Sequence, residues 1–277
     1  MASNDIIPEI LSRLILEASE PEGARFPQTE IFNEGWMLRL VLEAFKRLNI
    51  QGHPLSFEKG ADWFSEVRLS SRFRPRSRAD GLGEGFTHAD AVVGHFHFRA
   101  DTTAGLWLPE GCKQFVVVEA KMFSNLSMGV KNALGFNQAA RNVACMAEAI
   151  EQGGSTLNEI ETVGFYVVAP QYELRAARRT NLEVATHPNA VRSAVSKRIE
   201  AYESESGADS SQLDAWRERA FDPLVTRMEE EGTLRVLTWD ELIDIIRDVD
   251  RTSGEVLWRF YQRCLRLNQR PPPEPML

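Results

Sequence analysis

Two carboxylates and an ammonium stand at the ends of apolar runs. Asp90 lies in Thr87-His-Ala-Asp-Ala-Val-Val93, and Glu119 and Lys121 close Val116-Val-Val-Glu-Ala-Lys121. Side chains alternate along a strand, so Glu119 and Lys121 share a face with Val117 while Ala120 points away. A charged pair ending so apolar a strand is costly unless something binds it. If Asp90 occupies the neighbouring strand, the two carboxylates converge. With backbone carbonyls and waters they then suit a hard divalent cation, Mg²⁺ or Mn²⁺. Lys121 beside them would orient an attacking water or stabilise charge on a phosphate. The plainer alternative is a Glu–Lys pair that only caps a buried strand.

A second chemistry is suggested by Arg68, Arg72, Arg74, Arg76 and Arg78, with Phe73 among them as a possible stacking platform. Such a stretch suits contact with a nucleic-acid backbone. Arg175, Arg178 and Arg179 form another basic cluster. Either run is equally readable as a solvated face. Three other patterns lead nowhere. Gly81-Leu-Gly-Glu-Gly85 precedes a strand and lacks a phosphate-loop lysine. His95 and His97 lack further zinc ligands nearby. No G-x-S-x-G is present.

The elements that must position these residues follow from periodicity. Helical spacing marks 6–18, with Pro8 in its first turn, and about 30–48. Strands are expected over 63–73 and 87–98. A third is expected over 114–121, whose Val-Val-Val run is typical of burial on both faces. A loop over 122–129 leads to a helix over about 130–151, stopped by Gly153-Gly154. A buried strand follows over 162–169. Helices over 190–204 and 211–230, a short strand over 233–238, and helices over 239–247 and 254–267 complete the chain. The Pro-rich tail 270–277 is expected to be disordered. The pattern is α/β, one mixed sheet flanked by helices.

The order of these elements around Asp90 and Glu119-Ala-Lys121 resembles the PD-(D/E)XK nuclease superfamily. The resemblance covers roughly residues 30–169 and rests on a short, degenerate motif; Ala89 stands where the family's proline precedes the Asp. It implies a restriction-endonuclease-like core of about 30–170 within a single domain of 1–269, with a helical C-terminal extension over 171–269. It also implies Mg²⁺-dependent hydrolysis of phosphodiester bonds in nucleic acid, DNA being the first expectation. Asp90, Glu119 and the Ala120 carbonyl would hold the metal, and Lys121 would position the water. Some members place a carboxylate on the first core helix. Here that is Glu34, or Glu30 one turn earlier, although both also read as acids favoured by a helix dipole. Relatives with exonuclease-like cores carry a Gln where Gln138 stands, and Arg141 and Asn142 follow one turn on. Ser124 and Asn125 would contact a scissile phosphate or simply cap the next helix. The alternative within this resemblance is a catalytically inactive module that binds nucleic acid or a protein partner.

Composition bounds these readings. The 277 residues are 43% hydrophobic and 26% charged, which excludes a disordered chain, a collagen or a coiled-coil rod. A net charge of −8 argues against a non-specific nucleic-acid coat, so any such contact must come from a local basic patch. Three separated cysteines argue against a disulfide framework and for a reducing compartment. With no signal-peptide pattern and no run of ~20 apolar residues, the expectation is a cytoplasmic protein without membrane contact. A homodimer is compatible with the sequence.

Overall fold

The computed structural model describes residues 7–18, 25–75, 80, 82–100, 102, 104–127, 129–130, 133–171, 179–206 and 211–268. In chain order the elements are α1 (Ile7–Ala18), α2 (Glu34–Arg47), β1 (Asp62–Ser70), β2 (Phe86–Gly94), β3 (His97–Phe98), β4 (Leu106–Trp107), β5 (Gln114–Ala120), β6 (Gly129–Val130), β7 (Ala133–Leu134) and α3 (Gln138–Gln152). Then come β8 (Thr162–Ala169), α4 (Arg179–Thr186), α5 (Pro188–Ser206), α6 (Ser211–Trp216), α7 (Asp222–Glu231), β9 (Leu234–Thr238), α8 (Trp239–Val249) and α9 (Arg251–Asn268).

The central sheet has five strands in the order β1-β2-β5-β8-β9. It is mixed: β1, β2 and β5 pair antiparallel, and β5, β8 and β9 pair parallel. Every residue of β5 is buried, as its unbroken apolar run requires of a central strand covered on both faces. Alternate side chains of the sheet feed two cores. Phe115 and Val117 join α3, α5 and α7 on one face, while Val116, Val118 and Ala120 join α2, α8 and α9 on the other. The segment after residue 170 is more than a helical addition, because it supplies the edge strand β9 and helices to both cores. No helix among the described residues is long and apolar enough to cross a membrane.

Several boundaries differ from the periodicity, each for a local reason. β2 stops at Gly94, whose φ of +148° turns the chain. A Cβ there would lie 2.0 Å from the Gln114 carbonyl oxygen. β1 stops at Ser70, and Phe73 turns into the core at 1% exposure against Phe136, Tyr202 and Trp216. Phe73 is therefore a core residue and not a base-stacking platform. The helix expected from 130 begins at Gln138, because β6 (Gly129–Val130) pairs antiparallel with β7 (Ala133–Leu134) and Asn137 caps the helix by accepting from the Ala140 N–H. α2 starts at Glu34, capped by Asn33, with Glu30 in a separate 3₁₀ turn. The helix over 211–230 is broken by a π-helical stretch at Arg217–Phe221, and α4 had no clear sequence signal. The tail 270–277 lies outside the described residues.

The connection between β1 and β2 is pinned at its base by a buried charge cluster. Glu84, 7% exposed, sits 3.2 Å from Arg141 on α3 and 3.4 Å from Arg198 on α5. The Arg198 guanidinium lies over Phe73, Phe136 and Tyr202 and donates to the Leu82 carbonyl. Tyr202 donates to the same carbonyl at 2.8 Å. Burial pushes the Glu84 carboxyl up, and the two guanidinium groups oppose that shift. Glu84→Ala removes the buried carboxylate that faces both Arg141 and Arg198, so it is expected to cost about 3–5 kcal/mol of stability in a urea melt. A loss within about 0.5 kcal/mol would show that the aromatic rings and carbonyl suffice.

Candidate metal centre

β1, β2 and β5 bring three acidic residues to one level of the sheet. Ala91 pairs with Val118, so the next step of that antiparallel register sets Asp90 opposite Glu119. Ser65 pairs with Ala91 and Val67 with Ala89, which sets Glu66 opposite Asp90 on the other side. At this level β1 and β2 both change phase. Phe64 and Val92 face the α3 side, and so do Val67 and Ala89 beyond the switch. In β1 the change is made at Glu66, whose φ is +58°.

Asp90 is half-buried and accepts the Ala120 N–H at 2.7 Å. That bond ties β2 to the end of β5 where the ladder stops. Glu119 is fully buried. Its Oε1 accepts from Gln138 Nε2 and lies 3.7 Å from Lys121 Nζ, while its Oε2 has no hydrogen-bond partner. Burial pushes the Glu119 carboxyl up to about 8, with the Asp90 charge adding to the rise and Lys121 opposing it. Asp90 is also raised, chiefly by burial, against the pull of Lys121 and of its Ala120 hydrogen bond. Two neighbouring carboxyls whose ionisation is resisted are what a cation would relieve.

The groups around the pair are held in place. The Lys121 N–H donates to the Val168 carbonyl at 2.8 Å, and its own carbonyl accepts from the indole of fully buried Trp239 at 3.0 Å. The Lys121 side chain is 12% exposed. Gln138 is the first residue of α3, so the positive end of that helix is beside Glu119. Its amide donates to Glu119, and its backbone N–H donates to the Ser127 carbonyl at 2.9 Å. The loop after Lys121 is thereby anchored to the helix that carries Gln138.

No known family model, no curated protein and no solved structure matches this chain.

Asp90 from the middle of β2, Glu119 and Lys121 from the end of β5, and Gln138 from the start of α3 are brought together. Ser124 and Asn125 are exposed in the loop just beyond, which with Lys121 and Leu182 lines a small pocket. Glu34 is half-buried at the start of α2, and its charge acts on the Cys264 thiol of α9. Arg141 is occupied by Glu84, and Arg72 lies 3.9 Å from buried Glu148, so both serve internal ion pairs. Arg74 is exposed. Arg76, Arg78, Arg175 and Arg178 lie outside the described residues.

Glu66 has no counterpart in the sequence reading. Its charge raises the carboxyls of both Asp90 and Glu119, and its partner is Arg39 of α2 at 3.6 Å. An acidic residue in a strand carries no signal by itself; the register to Asp90 and the left-handed backbone single it out. Among the described residues, no three His, Cys, Asp or Glu side chains are grouped closely enough to hold a metal by themselves. The donor set is two carboxylates, supplemented by backbone and water. That fits Mg²⁺, which keeps several waters and takes one or two carboxylates, better than it fits zinc. Two larger grooves, of about 490 and 400 Å³, lie between α2 and α9 and beside Gly153–Gly154. Neither is lined by these residues.

Proposed function

We propose that the chain is a metal-dependent nuclease of the PD-(D/E)XK type, with a restriction-endonuclease-like core, that hydrolyses phosphodiester bonds in nucleic acid, DNA first. The observation that carries the reading is buried Glu119: one oxygen is held by Gln138 and Lys121, the other has no partner, and Asp90 stands opposite on the neighbouring strand. A structural Glu–Lys cap would have no reason to bury an open carboxylate oxygen next to a second carboxylate, since an unmet buried acceptor costs about 1–3 kcal/mol. Asp90 and Glu119 are the two side chains that would hold Mg²⁺, with the Ala120 carbonyl as a backbone donor. A divalent cation bound there supplies a water of lowered pKa and stabilises charge on phosphorus.

The chain's own groups then have separate tasks. The Ala120 N–H fixes the Asp90 carboxylate, and Gln138 fixes that of Glu119. Lys121, anchored through both its backbone N–H and its carbonyl, presents an ammonium to an attacking water or a phosphate oxygen. The carboxylates lie where β5 ends and an exposed loop begins, which suits a polymeric substrate. Exposed Arg74, Ser124 and Asn125 are candidates for contact with a phosphate backbone, with Arg76 as a further one.

Incubating the protein with labelled single- and double-stranded DNA and RNA tests the reading. Cleavage is expected with Mg²⁺ or Mn²⁺ and none with EDTA. Calorimetry should register uptake of the cation. Uptake without cleavage of any substrate would favour the inactive binding module. Neither uptake nor cleavage would end the metal reading altogether.

A further inference from the structure

Glu66 occupies a position that chain physics disfavours twice. A non-glycine residue with φ of +58° costs roughly 1–2 kcal/mol relative to the ordinary strand conformation. Like charges set opposite one another on neighbouring strands are also unfavourable, and Glu66 faces Asp90 in the β1–β2 register. Glycine or asparagine would adopt this backbone more readily and carry no charge. The side chain is 57% exposed, so packing gives no reason for a glutamate. Its link is Arg39, which also donates to Ser65 Oγ at 2.9 Å and lies over the Trp36 ring. One row of the sheet thus carries Glu66, Asp90 and Glu119. At its far end, Glu119 Oε2 is buried with no partner.

We propose that Glu66 is a third acidic group of the cation site, acting through the waters around a divalent ion held by Asp90 and Glu119 and exchanging Arg39 for that hydration shell. This inference rests on the cation reading above. Direct ligation is not the geometry, since the three carboxylates are not grouped closely enough to share an ion. Mg²⁺ and Mn²⁺ retain water, and an ionised carboxylate one water away still lowers the energy of the bound cation. Arg39 is the resident counter-charge in the absence of the ion. It acts on Asp90 as well, lowering that carboxyl. Cation uptake therefore competes with a guanidinium, and the two residues carry opposite signs of effect.

The probe is Mn²⁺, titrated by calorimetry into the full chain and its variants. Glu66→Gln is expected to weaken Mn²⁺ roughly 5- to 10-fold, the scale for removing one charge a hydrated distance from a divalent ion. Glu66→Gly should lose the same affinity while melting at or above the parent temperature, because glycine relieves the left-handed backbone. Arg39→Met should bind Mn²⁺ more tightly than the parent, an effect that a purely structural role for the pair would not produce. Parental affinity in both Glu66 variants overturns this inference and leaves the cation site standing. A parent chain that takes up no Mn²⁺ overturns both.

Discussion

Glu119→Gln is expected to abolish cleavage, by roughly 10³-fold or more, and to remove divalent-cation uptake, while the protein still folds. Glutamine keeps the shape and an oxygen for Gln138 to donate to, but not the charge. Metal-dependent chemistry loses a ligand and its activated water together, and single electrostatic groups alone are worth 10²–10³. The same variant tests the protonation argument. With its folded carboxyl at about 8 and an ordinary value of 4.5, Glu119 holds a proton in the folded chain that the unfolded chain has released between those limits. The folded state then binds more protons than the unfolded one, so the stability of the cation-free protein falls as pH rises from about 4.5 to about 8. The slope from one such group approaches about 1.4 kcal/mol per pH unit. Asp90, shifted in the same direction, adds to it. Mg²⁺ should restore stability most at pH 8 and above, where the carboxylates are ionised, and its affinity should decline as pH falls. Urea melts across pH 5–9, with and without Mg²⁺, read all of this. A slope that survives in Glu119→Gln would place the proton elsewhere.

What was legible in the sequence was the chemistry that strands impose. The alternation of Val117, Glu119 and Lys121 put the charges on one face, and the Val-Val-Val run marked β5 as central. The first follows from the period-two alternation of a strand, the second from burial on both faces. The helix start at Gln138 was not legible, because no residue type announces that Gly129–Val130 pairs with Ala133–Leu134 as two short strands. Phe73 and Arg141 misled for a different reason. Composition identifies an arginine and an aromatic residue near a candidate site. Only the three-dimensional arrangement shows that Arg141 faces Glu84 and that Phe73 lies beneath Arg198. Arg72 is similar, being drawn to Glu148, a residue 76 positions away on helix α3, which packs against β1 and β2. Glu66 was invisible because its role depends on register and on one unusual dihedral, neither of which a residue type announces.

Lys121→Met separates holding the cation from using it. The methionine keeps the bulk beside Glu119 and removes the ammonium 3.7 Å from Oε1. Both backbone anchors, to Val168 and from Trp239, are made by main-chain atoms and survive. The variant should therefore fold. It should bind Mg²⁺ at least as tightly as the parent, because a positive charge competing for Glu119 is gone. Cleavage should nevertheless fall by roughly 10²-fold or more, the scale for losing one acid–base or electrostatic group at the reacting centre. This opposition of tighter binding and slower cleavage is the signature of a group that acts on the substrate or the water and not on the metal. A lysine that merely neutralised Glu119 would give the reverse: a disturbed fold or altered metal uptake, with turnover per bound cation unchanged. Single-turnover cleavage at saturating Mg²⁺, compared with calorimetry on the same preparation, decides between them. If the variant cuts as fast as the parent, Lys121 is a structural partner of Glu119, and the attacking water must be oriented by another group.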